Sequence, residues 1–173
     1  MLPAYDSVTA GNVTDIYLPG GEAMRFGKGL SPVLRDYLDL WALKKSSLQY
    51  VYADDVQHRL VAPLAICTGH TLVPLRARHP VGKHDGAYGY VELESLRCAD
   101  ILPFTGGVTL QTADFALDLV CTKKQVLLMI SRGEHAARMY AMHNAGRVAE
   151  VPRTVYISGQ LTATCDTRSL DLC

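Results

Sequence analysis

The stretch from Leu64 to Leu119 constrains the fold most, because it carries an almost unbroken succession of strand and turn patterns. The runs LAIC and TLVPL flank Thr68-Gly69-His70, a combination that predicts a hairpin. The run YVELESL then alternates apolar and polar residues, as does a strand with one face toward a core. After a short apolar connector, ILPF, the runs GVTLQT and ALDLVC surround Ala113-Asp114-Phe115, which predicts a second hairpin.

A helical pattern precedes this β-rich stretch. Ser31-Pro32 predicts a helix start, because Ser31 can cap the first N–H groups and proline suits the first helical position. Apolar residues then recur at helical spacing as far as Ala42, and Lys44 and Lys45 close the last turn. The segment from Leu48 to Leu60 fits either a helix or a strand, and we favour a helix.

A second helical pattern follows the β-rich stretch, from Lys123 to Asn144. Gly133 is a weak point in it, at which the helix could kink or break. The tail TVYISGQLTATC predicts a last hairpin around Ser158-Gly159. At the other end of the chain, residues 1–11 predict a loose start before a strand from Val13 to Leu18.

These patterns together predict an α+β protein, in which a mixed, mostly antiparallel sheet of hairpins is packed by two or three helices. The chain has 173 residues, 49% of them hydrophobic, which is enough to bury a core in one domain. We expect a single α+β DNA-binding core over residues 1–145 and a C-terminal β-hairpin appendage over residues 146–173.

Familiar enzyme and metal motifs are not found in the sequence. There is no phosphate-binding loop, nucleophile elbow, HExxH or dinucleotide-binding glycine pattern. Cys67 and His70 form a CxxH pair, but a structural zinc site needs a second pair that the sequence lacks. Cys121 follows an apolar strand and is more typical of a small core residue than of a nucleophile. We therefore expect no metal, no cofactor and no enzyme.

The location of the protein is predicted from its cysteines and its apolar runs. Five cysteines, an odd number without a CxxC pair, together with the lack of a leader pattern, favour a reducing cytoplasm. No apolar run reaches the length of a transmembrane helix, so we expect no membrane.

The charges are distributed unevenly in a chain whose 17 basic and 17 acidic residues balance. Arg76, Arg78 and Lys83 lie within eight residues of one another, together with His79 and His84. The segment from Lys123 to Arg147 holds five basic residues and one acid. Local concentrations of positive charge in a neutral chain are typical of a nucleic-acid-binding face.

The order of motifs from Pro63 to Arg138 resembles the ComK family of competence transcription factors. The motifs are PLAICTGHTLVP, a basic loop, GYVELESL, the hairpin of GVTLQT and ALDLVC, and a helix with arginines, LLMISRGEHAARM. The resemblance implies a transcriptional activator of DNA-uptake genes that binds AT-rich promoter boxes as a homodimer or higher oligomer, mainly through the minor groove.

The resemblance also supplies candidate DNA-binding residues. Arg76, Arg78 and Lys83 match the basic loop of the family, which here also carries His79 and His84. Arg132 and Arg138 match its arginine-bearing helix. A narrow AT-rich minor groove attracts inserted arginine, so a loop carrying Arg76 and Arg78 suits that role.

Two other classes of function remain open from the sequence. One is a small α/β enzyme or ligand-binding domain with a pocket near His70, Cys98 and Cys121. The other is a protein-interaction module that uses a tyrosine-rich face, since nine tyrosines are present. For the DNA-binding interpretation, no small-molecule substrate is expected.

Overall fold

The fold is α+β, as the sequence predicts, and its strands form small antiparallel sheets. The computed structural model describes residues 1–6, 11–52, 61–80, 86–145, 155–157 and 161–163. The helices within these ranges are α1 Leu30–Leu40, α2 Lys45–Tyr52, α3 Leu93–Arg97 and α4 Lys123–His143. The strands are β1 Leu2–Asp6, β2 Gly11–Tyr17, β3 Ala23–Phe26, β4 Leu64–Cys67, β5 His70–Arg76, β6 Tyr88–Glu92, β7 Asp100–Phe104, β8 Gly107–Gln111, β9 Ala116–Leu119, β10 Val155–Ile157 and β11 Leu161–Ala163.

Each sheet is built from strands that are consecutive in the chain. The strand orders are β1-β2-β3, β4-β5-β6, β7-β8-β9 and β10-β11, with antiparallel pairing throughout. Short hairpin connections produce this arrangement, because neighbouring strands in sequence then pair with each other. The predicted hairpins of β4 with β5, β8 with β9, and β10 with β11 are confirmed.

Hydrogen bonds between main-chain groups tie the first sheet to the second. The amine of Met1 donates to the carbonyl oxygen of Tyr90, and the N–H of Tyr90 donates back to the carbonyl oxygen of Met1, both at 2.8 Å. The first strand is therefore anchored to β6, and the expectation of a loose start over residues 1–11 is wrong for residues 2–6. Pairing with β2 orders a segment whose own sequence shows little periodicity.

The core consists of two clusters that meet along α4. One cluster packs β5, β6 and α3 against β8, β9 and the start of α4, around Val73, Leu110 and Val126. The other packs α1 and α2 against β4 and the later part of α4, around Leu38, Leu64 and Ala136. The long helix therefore spans both clusters and orients the elements that surround it.

The helix α4 begins and continues as its local sequence dictates. Thr122 accepts from the N–H of Gln125, and the Gln125 side chain accepts from the N–H of Thr122, which completes a capping box. The helix runs through Gly133 without a break. A Cβ at Gly133 would lie 2.7 Å from Cγ2 of Val73, so glycine allows the close approach of α4 to β5.

The helix α1 differs from its prediction at both ends. It begins at Leu30 with Gly29 as the N-cap, so Ser31 lies inside the helix and makes no cap hydrogen bond. It ends at Leu40, and Ala42 then takes a left-handed conformation with φ of 53°. Lys45 consequently begins α2 instead of closing α1. Of the segment from Leu48 to Leu60, for which we favour a helix, residues 48–52 are helical and residues 53–60 lie outside the described part of the chain.

Two short segments between the central hairpins were also assigned wrongly. Residues 93–97 form the helix α3, with Leu93 and Leu96 buried on the same side, instead of continuing the strand. Their spacing, i and i+3, satisfies a helix, and the alternation that precedes them ends at Glu92. The predicted connector ILPF forms β7, an edge strand on which Leu102 and Phe104 are exposed. Within the described ranges, no helix is long and apolar enough to cross a membrane.

Candidate nucleic-acid interface

The two basic segments of the sequence come close to each other at Arg76 and the start of α4. The strand β5 ends at Arg76, and the N–H of Val120, just after β9, donates to the carbonyl oxygen of Arg76 at 3.0 Å. Lys123 opens α4 three residues after Val120. A long-range backbone contact thus places the end of β5 beside the start of α4.

The first turn of α4 adds to the positive potential at this place. Lys123 and Lys124 are exposed and the first turn holds no acidic residue. The N-terminus of a helix carries a partial positive charge, which these two lysines reinforce. Arg76 is exposed as well, and across the described residues none of the three has a salt bridge. Arg76, Lys123 and Lys124 are called the basic edge below.

Arg78, in contrast, forms hydrogen bonds with other residues of the fold. Its Nε donates to the carbonyl oxygen of Gly86 at 3.1 Å, and its Nη2 donates to Oδ1 of Asn12 at 2.6 Å. The side chain is half-buried. It links Gly86 to Asn12 of β2 through these two hydrogen bonds.

The other predicted DNA-binding residues fall in different places. His79 is exposed next to Arg78, and Lys83 and His84 lie outside the described residues. Arg132 is half-buried, with Nη1 3.7 Å from Sδ of Met129. Arg138 is exposed on α4.

Arg138 shares a helix face with the basic edge. It lies fourteen residues after Lys124, which is two heptads, so both side chains project from the same side of α4. The separation along the helix axis is about 21 Å at 1.5 Å per residue. The acidic residue of this helix, Glu134, lies 3.5 Å from Arg97 of α3, which offsets its charge. The exposed face of α4 therefore presents positive charge at the basic edge and again at Arg138.

The sequence predicted no separate role for Lys123 and Lys124 in binding. The two lysines counted only toward the net charge of the segment from Lys123 to Arg147. The signal that could have found them is the capping box, because Thr122 followed three residues later by Gln125 marks a helix start. Two lysines immediately after such a cap must lie at the positive end of the helix dipole.

A hydrogen-bonded chain of side chains joins α1 to β5 and β6. Nδ1 of His70 lies 2.7 Å from Oε1 of Glu92, and Nε2 of His70 lies 2.5 Å from the hydroxyl of Tyr37. The ring of Trp41 packs against the ring of His70, with 5.9 Å between the two ring centres. Glu92, a polar position of the predicted strand, remains partly exposed and fixes the orientation of His70.

The cysteines of the alternative pocket occupy distinct surroundings. Cys121 is buried in the cluster around Val73, and burial raises the pKa of its thiol. Cys98 is exposed at the end of α3, and Cys67 is buried at the end of β4. Across the part of the chain that the structure describes, no three His, Cys, Asp or Glu side chains gather as metal ligands would. His70, the partner proposed for Cys67, is held by Glu92 and Tyr37.

The chain was also compared with known proteins. The candidate site is an exposed basic edge at a helix start, and the nearby Arg78 is hydrogen-bonded to Gly86 and Asn12. No protein-family model, curated protein or solved structure matches the chain.

Proposed function

We propose that this protein is a DNA-binding transcriptional regulator that contacts the duplex through its basic edge. The observation that supports the proposal is the convergence of Arg76 with Lys123 and Lys124, which the hydrogen bond from Val120 to Arg76 creates. The three side chains are exposed, and the two lysines stand in the first turn of α4, at its positive end. Helix N-termini and lysines both bind phosphate, so together they suit the DNA backbone.

The position of the two lysines strengthens this argument. Positive charge in the first turn of a helix is unfavourable for stability, because it opposes the helix dipole. A capping box already satisfies the helix start, so the fold does not need lysines there. Residues that weaken a fold locally are typical of functional surfaces.

The two kinds of basic residue have different roles in the proposal. Lys123 and Lys124 contact phosphates without regard to base sequence. Arg76 ends β5 at the mouth of the loop and enters the minor groove of AT-rich DNA, whose negative potential is greatest where the groove is narrow. Activation of competence genes is the biological role that the resemblance to the ComK family implies.

A homodimer follows from the small number of charges on each chain. Three basic-edge residues and Arg138 are few for a specific DNA site, and the chain as a whole is neutral. Two copies on adjacent half-sites double the phosphate contacts without changing the net charge of either chain.

The test is a salt titration of binding to an AT-rich and a GC-rich duplex. The expected plot of log affinity against log salt is linear, and K123Q/K124Q reduces its slope by about 1.8 per protomer, at about 0.9 per phosphate contact. The R76A variant is expected to weaken AT-rich binding while leaving weak GC-rich binding unchanged. R35Q is the matched control, since Arg35 is exposed on α1 beside Asp36.

Three results would contradict the proposal. One is the absence of measurable affinity for either duplex at low salt. Another is an equal loss of log affinity per removed charge in R35Q and in K123Q/K124Q, which would show a dependence on total charge alone. The third is an unchanged salt slope in K123Q/K124Q, which would remove the basic edge from the interface.

A further inference from the structure

A cavity of about 340 Å³ lies between the start of α1, β2 and β6. Its volume is at the small end of the range for small-molecule sites, about 300–1,000 Å³. The residues that matter for its chemistry are Ser31, Lys45, Arg78, Tyr88 and Tyr90. They come from four separate parts of the chain, which the fold brings together around one space.

The cavity is cationic. Lys45 and Arg78 both line it, and no Asp or Glu is found among its described lining residues. Within the described part of the chain, Nη1 of Arg78 is buried and has no hydrogen-bond partner. Two cations with no carboxylate beside them in the described wall favour an anionic occupant, because an oxyanion there would form charge-assisted hydrogen bonds with both.

The start of α1 contributes polar groups to the same cavity. Gly29, Leu30, Ser31 and Pro32 all lie in its wall. The first N–H groups of a helix have no partner within the helix, and in this wall Leu30 and Ser31 supply such groups, whereas Pro32 has no N–H. An oxyanion at this position would accept from both the main chain and the cationic side chains.

Apart from Asn12, the remaining described wall is largely apolar and aromatic. Tyr90 is 4% exposed, and Nζ of Lys45 lies 5.5 Å from the centre of its ring. Tyr88 is 42% exposed, and Pro3 and Val13 add apolar surface. A ligand that fits such walls has a planar or apolar body attached to its anionic group.

We propose that this cavity binds a small phosphorylated ligand with a planar ring, of the nucleoside monophosphate class. Lys45, Arg78 and the start of α1 bind the phosphate, and the tyrosine side binds the ring. This site is separate from the basic edge, since neither Arg76 nor the lysines of α4 line the cavity. A protein that fails to bind DNA can therefore still bind this ligand, and the reverse also holds.

The test is a calorimetric titration of the full chain with adenosine monophosphate, inorganic phosphate and adenosine. We expect saturable binding of the nucleotide, weaker binding of phosphate alone and the weakest binding of adenosine. K45M should weaken nucleotide binding about ten-fold or more, because a charged hydrogen bond is lost, and K45R should restore most of it.

K44M is the matched control. Lys44 precedes Lys45, is exposed and does not line the cavity, so K44M removes the same charge from outside the site. Its nucleotide affinity should stay within about two-fold of that of the unaltered protein. The proposal is overturned if the nucleotide shows no saturable binding, if adenosine binds as tightly as the nucleotide, or if K44M and K45M weaken binding equally. Far-UV circular dichroism of each variant establishes that the fold is intact.

Discussion

The N–H of Val120 donates to the carbonyl oxygen of Arg76 at 3.0 Å, across 44 positions of sequence. This hydrogen bond joins the end of β5 to the segment that leads into α4. It converts two basic regions that are separate in sequence into one surface, the basic edge. The proposed DNA contact depends on this junction more than on any single arginine.

Neutralising the lysines of the basic edge should stabilise the protein. In K123Q/K124Q the positive charges that oppose the dipole of α4 are removed, and we expect about 0.3–1 kcal/mol of additional unfolding free energy per lysine at low ionic strength. Urea denaturation measures this change in unfolding free energy. R138Q removes one positive charge away from the helix start and should change stability little, since the dipole effect is confined to the terminal turns. A loss of stability in K123Q/K124Q would contradict the prediction.

Replacing Gly133 by alanine should destabilise the protein although alanine favours helices. Helix propensity gives alanine an advantage of about 1 kcal/mol, but the new Cβ would lie 2.7 Å from Cγ2 of Val73 and 3.2 Å from Cδ1 of Leu93. Overpacking of this kind costs about 1–3 kcal/mol, so we expect a net loss in chemical denaturation. S131A, at an exposed site in the same helix, should be neutral or slightly stabilising.

A double variant identifies the cause of the loss in G133A. If the clash with Val73 is responsible, the combined effect of G133A and V73A should be smaller than the sum of their separate effects. Strict additivity, or a stabilised G133A, would show that α4 can move away from β5 without cost.

Stability should rise with pH between about 6 and 8 in a chain that begins at Met1. Burial lowers the pKa of the Met1 amine from 8.0 to about 6. Between these values the unfolded chain binds more protons than the folded one, so the unfolding free energy increases with pH, by about 2–3 kcal/mol in total. Urea denaturation at pH 5.5 and pH 8.5 measures the change.

Acetylation of the Met1 amine supplies the control for this pH dependence. The acetylated group does not titrate, so the difference in slope between the two proteins isolates the amine from the histidines. Equal pH dependence with and without acetylation would rule out a contribution from the amine.

Removing the Tyr37 hydroxyl should weaken the attachment of α1. In Y37F, Nε2 of His70 loses its partner at 2.5 Å, while Glu92 still holds Nδ1. The His70 side chain is only 17% exposed, so we expect a loss of about 1–3 kcal/mol in unfolding free energy. Y5F, at a tyrosine that is 44% exposed, is the control and should have little effect. An unchanged denaturation midpoint in Y37F would show that water replaces the Tyr37 hydroxyl as the hydrogen-bond partner of His70.

The predictions that succeeded rest on local sequence patterns. The hairpin of β8 and β9 and the long helix α4 follow from alternation and helical spacing, which neighbouring residues determine. The start of α2 at Lys45 was missed because the turn that separates it from α1 carries no glycine or proline, only Ala42 with a positive φ. The edge strand β7 was missed because its apolar residues, of which Leu102, Pro103 and Phe104 are exposed, do not alternate with polar ones.

The sequence by itself determined the α+β class, most of the hairpins and helices, and the concentration of positive charge in two segments. Only the tertiary structure decided which of those charges lie together. It placed Arg76 beside the start of α4. It also allowed Arg78 to form hydrogen bonds with Asn12 and Gly86, and it brought Lys45 to the cavity at the start of α1. The physical reason is that periodicity depends on neighbouring residues, whereas these contacts join distant residues through the packing of two core clusters.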